Sequence, residues 1–166
     1  MPTQTSIDAL DARIVTLFAE EPKIGVLQAS RRLGVARGTV QARLDRLART
    51  GVITGWGPDL APVALGYPVT AFTTLELRQG IGHDLVGAKL ARIPEVLEAH
   101  TITGDAEMLV RIVARSNRDL QRVLDQVLAL DGITRSSTVI ALATQVPMRT
   151  LPLLAASPRS EPSVRR

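Results

Sequence analysis

Arginine side chains concentrated between residues 31 and 49 give the sequence its clearest chemical signal. Asp45 is the only acid in this interval. A guanidinium group stays charged and matches the geometry of a phosphate, so a row of arginines is typical of a surface that contacts nucleic acid. A charge run is also found on ordinary solvated helices. The arginines are Arg31, Arg32, Arg37, Arg43, Arg46 and Arg49.

Two helices around a tight turn must position these arginines. Residues Val26 to Leu33 predict a short amphipathic helix, which Gly34 should end because glycine adopts a left-handed conformation at little cost. A second helix is predicted from about Ala36 to Thr50, before Gly51. An apolar stripe at helical spacing turns this second helix toward the protein core. The stripe consists of Val40, Leu44 and Leu47.

The opposite face of the second helix has small residues near its start and arginines further along. Such a helix suits the major groove of duplex DNA, because small residues allow close approach while Gln and Arg can bond to base edges. The residues expected nearest the bases are Arg37, Gly38, Thr39, Gln41 and Ala42. The residues expected to neutralise phosphates are Arg43, Arg46 and Arg49. Arg31 and Arg32 complete the predicted DNA-binding set.

Composition limits the remaining classes of function. The 166 residues are 45% hydrophobic but only 2% aromatic, so the core must be aliphatic. The net charge of +4 suits a polyanionic partner. Cysteine is absent and His83 and His100 are far apart in sequence, which argues against disulfides and a zinc site, and no cofactor is predicted. No apolar run is long enough for a bilayer and no signal-peptide pattern begins the chain, so a cytoplasmic protein without membrane contact is expected.

Proline and glycine residues divide the chain into predicted domains. Asp8 is the predicted N-cap of a first helix, Ile7 to Glu20. Val52 and Ile53 predict a short strand, like the wing or lead-in strand of winged-helix proteins. The predicted segments are a helix-turn-helix domain (1–54), a linker strand or hinge (55–68), a second domain (69–154) and a disordered tail (155–166).

The second half predicts a strand–helix–strand unit that occurs twice. Such a pair forms a four-stranded antiparallel sheet with both helices on one face, the ferredoxin-like βαββαβ plan. The fold class is therefore α+β, with an N-terminal (winged) helix-turn-helix domain. The first strand, Thr70 to Leu77, is not clearly polar on either side. We expect the uncovered sheet face to pair with a second copy of the chain.

Four segments in order resemble the Lrp/AsnC (feast/famine, leucine-responsive) family of transcriptional regulators, over about residues 7–154. The family's patterns are I/L-D-x-x-D-x-x-I-L, a recognition helix with R-V-x-R-L, G-V/I-I-x-G-Y, and T-G-x-x-D-x-L-L. The corresponding segments here are Ile7–Val15, Leu33–Leu47, Gly51–Trp56 and Thr103–Val110.

This resemblance implies a dimer formed through the sheet domain, which assembles further, in relatives commonly to octamers. It also implies a small-molecule effector, usually an amino acid, held between dimers near the Thr103–Val110 segment. Gly104 would allow a tight turn with exposed N–H groups for a carboxylate, and an acid could bind the ammonium group. A plain β-turn explains the same residues. The effector candidates are Thr103, Gly104, Asp105 and Glu107, with Ser136 and Thr138 as weaker ones.

The sequence departs from the family pattern at two positions. Ala36 replaces the usual Ser or Thr at the N-cap of the recognition helix, and Glu107 replaces Asp. Two alternatives remain: an architectural DNA-binding protein without an effector, and an enzyme like the tetrapyrrole decarboxylases, which use His and Arg in a similar sheet domain. His100 lies on a predicted strand, but the aromatic-rich, His-bearing segments of those enzymes are missing. No catalytic constellation stands out, so we predict a regulator and not an enzyme.

Overall fold

The computed structural model of the chain describes residues 6–156, which form two compact units. Residues 6–58 and 147–156 make a helical unit, and Asp59–Val146 make a unit built on a β-sheet. The helices are α1 (Ala9–Glu20), α2 (Val26–Leu33), α3 (Arg37–Arg49), α4 (His83–Leu90), α5 (Asn117–Leu128) and α6 (Leu151–Ala156). The strands are β1 (Val69–Leu77), β2 (Val96–Thr101), β3 (Met108–Ala114) and β4 (Ile133–Ala141). The α+β fold class is confirmed.

The first three helices begin and end where local chemistry requires. Asp8 and Asp11 form a capping box at the start of α1, in which each carboxylate accepts a hydrogen bond from the other residue's backbone N–H. Gly34, with φ +70°, ends α2 in the left-handed conformation. Ala36 is the N-cap of α3 and offers no side-chain bond, as the sequence indicates. The three helices enclose an aliphatic core that includes Ile14, Ile24, Ala29, Val40 and Leu44.

The predicted strand at Val52 and Ile53 is not observed. The backbone N–H groups of both residues donate to the carbonyl oxygen of Leu47, at 2.9 and 3.1 Å, so the segment wraps back onto the end of α3. Within residues 51–68 the described chain contains no strand, and its regular element is a short 3-10 helix, Pro62–Leu65. The described chain therefore has no strand where the linker strand and the wing-like strand were predicted.

The sheet unit has the predicted ferredoxin-like topology. Its four strands are antiparallel in the order β2-β3-β1-β4, and α4 and α5 share one aliphatic core with the sheet. β4 ends at Ala141. Its last pairing is Ala141 with Thr70, near the start of β1, so residues beyond Ala141 have no neighbouring strand.

The C-terminal boundary also differs from the expectation. Residues 147–154, expected in the second domain, belong to the helical unit, where α6 contacts α1. The predicted disordered tail starts inside α6, which continues to Ala156. The other residues of that predicted tail, 157–166, lie outside the described part of the chain.

Candidate nucleic-acid interface and ligand site

The N-terminal half of α3 presents the residues expected to lie nearest the bases. Its apolar stripe is buried against α1 and α2, so the opposite face is directed outward. A Cβ added at Gly38 would have no neighbour within 4 Å, which shows how open this face is. The exposed positions are Arg37, Gly38, Thr39, Gln41 and Ala42.

Gln41 is partly oriented by a neighbour that the sequence analysis did not consider. Its amide nitrogen donates to the carboxylate of Asp45 at 2.8 Å, a bond across one helical turn. This bond fixes the amide plane. The side chain of Gln41 can still accept a hydrogen bond through its oxygen.

The exposed arginines of the predicted DNA-binding set fall into two groups. Arg32, at the end of α2, forms an ion pair with Glu21. Arg31, Arg37 and Arg49 are exposed, and the described residues provide no ion pair for them. These three guanidinium groups are the ones that an incoming phosphate would meet without competition.

Arg43 and Arg46 are placed differently from the expectation. Arg43 bonds to Asp8 and, at 2.9 Å, to Asp11, and Arg46 bonds to the other carboxylate oxygen of Asp11. Asp11 is only 1% exposed, so its charge requires compensation within the protein. In this structure both guanidinium groups bind carboxylates of α1, and their predicted role in neutralising phosphates stays a prediction.

The ion cluster shifts the pKa of two of its members. Burial by itself would raise the pKa of Asp8, but the hydrogen bonds from Arg43 and from the Asp11 backbone outweigh it and hold that pKa below 3.8. The same contacts raise the pKa of Arg43, chiefly through its hydrogen bonds to Asp8 and Asp11. The charged forms of both partners are thus favoured.

The predicted effector turn lies between β2 and β3. Gly104 has φ +124°, a conformation that favours glycine, and Thr103 and Asp105 beside it are exposed. Within residues 6–156 no hydrogen bond or ion pair of the Asp105 side chain is found. A ligand could therefore reach this carboxylate.

Glu107 has a structural task. Its carboxylate accepts a hydrogen bond of 2.8 Å from the backbone N–H of Leu77, and its own N–H donates to Leu75. The residue thus joins the start of β3 to the end of β1. Its predicted contact with the effector stays a prediction, and such a contact would have to share this carboxylate with the Leu77 N–H.

The two weaker candidates lie on β4, beside the end of β1. Ser136 is opposite Leu75, the residue to which Glu107 also bonds, so the turn and Ser136 are at the same end of the sheet. Thr138 is two pairs further in, and its hydroxyl is 3.0 Å from that of the buried Thr73. Both candidates are half-buried.

A groove of about 550 Å³ between α4 and the edge strand β2 was missed by the sequence analysis. None of the six predicted effector residues lines it. It is formed by packing of two elements, and only their tertiary arrangement reveals it. Its polar lining includes His83, Asp84, Glu98 and Thr101. Thr101 comes just before the predicted turn, so the groove ends close to it.

The described residues contain neither a metal-binding cluster nor a membrane-spanning helix. Among residues 6–156, no group of three or more His, Cys, Asp or Glu side chains is arranged to hold a metal ion. In the same part of the chain, the helices are too short or too polar to cross a bilayer.

Comparison with protein families matches both units. Residues 7–48 match the AsnC-type helix-turn-helix domain, and residues 70–151 match the Lrp/AsnC ligand binding domain. The chain is 31% identical to the regulatory protein AsnC of Escherichia coli over 146 residues, covering 87% of this chain and 95% of that protein. It is 30% identical to the HTH-type transcriptional regulator FL11 of Pyrococcus furiosus over 147 residues, covering 89% of this chain and 97% of that protein.

Solved structures show the same arrangement of elements. The structure of Escherichia coli AsnC superposes with a TM-score of 0.81 at 28% identity, covering 89% of this chain and all of that one. A regulator from Neisseria meningitidis, solved as a complex with L-Met, superposes with a TM-score of 0.79 at 21% identity, covering 92% and 100% of the two chains. At that identity the second likeness shows the fold alone.

Proposed function

The chain belongs to the Lrp/AsnC family of transcriptional regulators, and we propose that it binds operator DNA through α3 in response to a small metabolite. A DNA-binding domain and a ligand-binding domain make it a regulator, and its relatives confirm the expectation that it is not an enzyme. The observation that carries the DNA-binding proposal is the open N-terminal half of α3, with Arg37 and Gln41 exposed at its start.

In the proposed complex α3 lies in the major groove. Gly38 and Ala42 allow the helix to approach the base edges, which Arg37 and Gln41 then contact by hydrogen bonds, with Thr39 beside them. Arg31 and Arg49 neutralise phosphates. Arg32 does so after giving up its ion pair with Glu21. A homodimer would place two such helices on a pseudo-palindromic site.

The test uses operator fragments selected from a random duplex library by the purified protein. Replacing Arg37→Ala should reduce the preference for the selected operator over random DNA about 5- to 150-fold, which corresponds to the loss of about 1–3 kcal/mol of base discrimination. Arg118→Ala removes an exposed arginine from α5 in the other unit and is the matched control. An unchanged preference in the Arg37 variant would contradict the proposed reading of bases by α3.

We also propose that the effector is an amino acid or a related metabolite held at the β2–β3 turn. The backbone of Gly104 is available for a carboxylate, and Asp105 is available for an ammonium group. The match to a ligand-binding domain supports a small-molecule ligand. A regulator of the same fold, from Neisseria meningitidis, was solved with L-Met. Thr103 lies beside these groups, and Ser136 and Thr138 lie along β4 from the same end of the sheet.

A thermal-shift screen with the individual amino acids tests this site. The ligand should raise the melting temperature of the wild-type chain and fail to do so for Asp105→Ala. Asp59→Ala is a control at another exposed carboxylate of the same unit. Asp84→Ala reports on the α4–β2 groove. Loss of the response in that variant, and not in Asp105→Ala, would indicate that the ligand binds in the groove. No response to any amino acid would favour the architectural, effector-independent alternative.

The proposed dimer forms through the sheet face that the helices leave uncovered. Val139, Phe72, Arg111 and Glu98 lie opposite one another across the four strands on this face. Phe72 is 37% and Val139 64% exposed, which is unusual for such side chains unless they are covered by a partner. Arg111 bonds to Glu98 at 3.1 Å, but its Nε is buried and without an acceptor within residues 6–156. A second copy would cover the apolar residues and could provide that acceptor. Further assembly of dimers to an octamer belongs to the same proposal.

A further inference from the structure

The charges that α3 offers to DNA are fewer than its sequence suggests. Arg43 and Arg46 form a closed cluster with Asp8 and Asp11 of α1, in which two positive and two negative charges cancel. The two arginines are still 28% and 36% exposed, so the cluster lies at the surface, on the flank of the proposed DNA-contacting helix. Phosphates of a bound duplex would pass near it.

We propose that the carboxylates of Asp8 and Asp11 act as an internal substitute for DNA phosphates and so limit sequence-independent binding. This inference rests on the proposed DNA-binding function. Because Arg43 and Arg46 are already neutralised, they release no counterions from DNA, and the phosphate-dependent affinity common to all sequences is reduced. The base contacts of Arg37 and Gln41 then account for a larger share of the total affinity.

The geometry explains why the arginines stay on the carboxylates when DNA is present. Asp11 is almost fully buried and also accepts the backbone N–H of Asp8 at 3.0 Å. Moving either guanidinium group to a phosphate would leave a buried carboxylate with less compensation, which is costly. Asp8 is 41% exposed and contacts only Arg43 among the arginines, so it is the weaker half of the cluster.

The test compares binding of random-sequence duplex as a function of salt. In the full-length variant Asp8→Asn/Asp11→Asn, both amides can still accept the capping-box bonds, but the arginines lose their charged partners. Two additional phosphate contacts should steepen the slope of log binding constant against log salt concentration by up to about 2 per protomer. The variant would then lose roughly tenfold more affinity than the wild type between about 50 and 200 mM salt. Random-sequence affinity at low salt should rise and the operator preference should fall.

Controls separate this effect from net charge and from misfolding. Glu20→Gln/Asp59→Asn removes two exposed carboxylates and changes the net charge equally, without releasing either arginine. A salt slope that is equal in the two double variants, or an unchanged slope in the folded Asp8/Asp11 variant, would overturn the inference. If the double variant does not fold, Asp8→Asn alone should steepen the slope by up to about 1, and an unchanged slope there has the same meaning. Failure of the wild-type chain to bind any duplex would instead overturn the proposed function itself.

Discussion

The carboxylate of Glu107 accepts a hydrogen bond from the backbone N–H of Leu77, 2.8 Å away, and thereby joins two neighbouring strands where the pairing of β1 with β4 is irregular. Glu107→Ala should lower the free energy of unfolding by about 1–3 kcal/mol, because the N–H loses a charged acceptor. Glu107→Gln keeps an acceptor and should lose less. Urea unfolding of both variants measures the difference. If the two variants are equally stable, the hydrogen bond from Leu77 to Glu107 does not contribute about 1–3 kcal/mol to the free energy of unfolding.

Ala36 provides a test of helix capping at α3. Its backbone is already extended, as an N-cap requires, but its side chain offers no acceptor. Ala36→Ser should stabilise the helical unit by about 0.5–2 kcal/mol. Ala42→Ser introduces the same side chain at an exposed position inside α3, where serine has a lower helix propensity than alanine, and should be slightly destabilising. Thermal unfolding followed by circular dichroism would contradict the capping account if the two substitutions had effects of the same sign.

The ion cluster predicts a loss of stability in acid. Because the pKa of Asp8 in the folded chain lies below 3.8, its ionised form stabilises the fold above that pH, and this contribution disappears as the pH falls through the folded pKa. The melting-temperature difference between wild type and Asp8→Asn should therefore be constant above about pH 5 and shrink below pH 3.8. Asp59→Asn, at an exposed carboxyl group in the other unit, is the control. A difference that does not vary with pH would contradict this role of Asp8.

The uncovered sheet face predicts the oligomeric state. Val139→Glu introduces one charge per chain into the proposed dimer interface, on the edge strand β4. Both charges would be buried in the dimer without an oppositely charged partner. The variant should dissociate to monomers at concentrations where the wild-type chain is at least dimeric, as measured by sedimentation velocity. Leu128→Glu changes an exposed apolar residue of α5, on the opposite side of the sheet, and should leave the mass unchanged. Equal masses for all three proteins would argue against dimerisation through this face.

Sequence periodicity predicted the elements well and the charged contacts poorly. Apolar spacing and Gly34 gave α2 with its observed ends and α3 within one residue at each end, because local chemistry decides them. The same spacing placed Arg46 on an outward face but could not show that Asp11 lies within reach. The two residues are 35 positions apart, and only the packing of α1 against α3 brings them together.

Other differences have the same origin. Val52 and Ile53 have high β-propensity, but a strand requires a neighbouring strand, and the end of α3 takes their N–H groups instead. The α4–β2 groove exists only because α4 and β2 pack side by side in the sheet unit. Local propensity contains no information on either arrangement.

The contact of α6 with α1 has a consequence for biosynthesis. The first three helices leave the ribosome early, but residues 151–156 are synthesised only after all four strands. Until then the side of α1 that α6 contacts is exposed to solvent. A nascent chain can therefore form its three-helix core before α6 covers that surface.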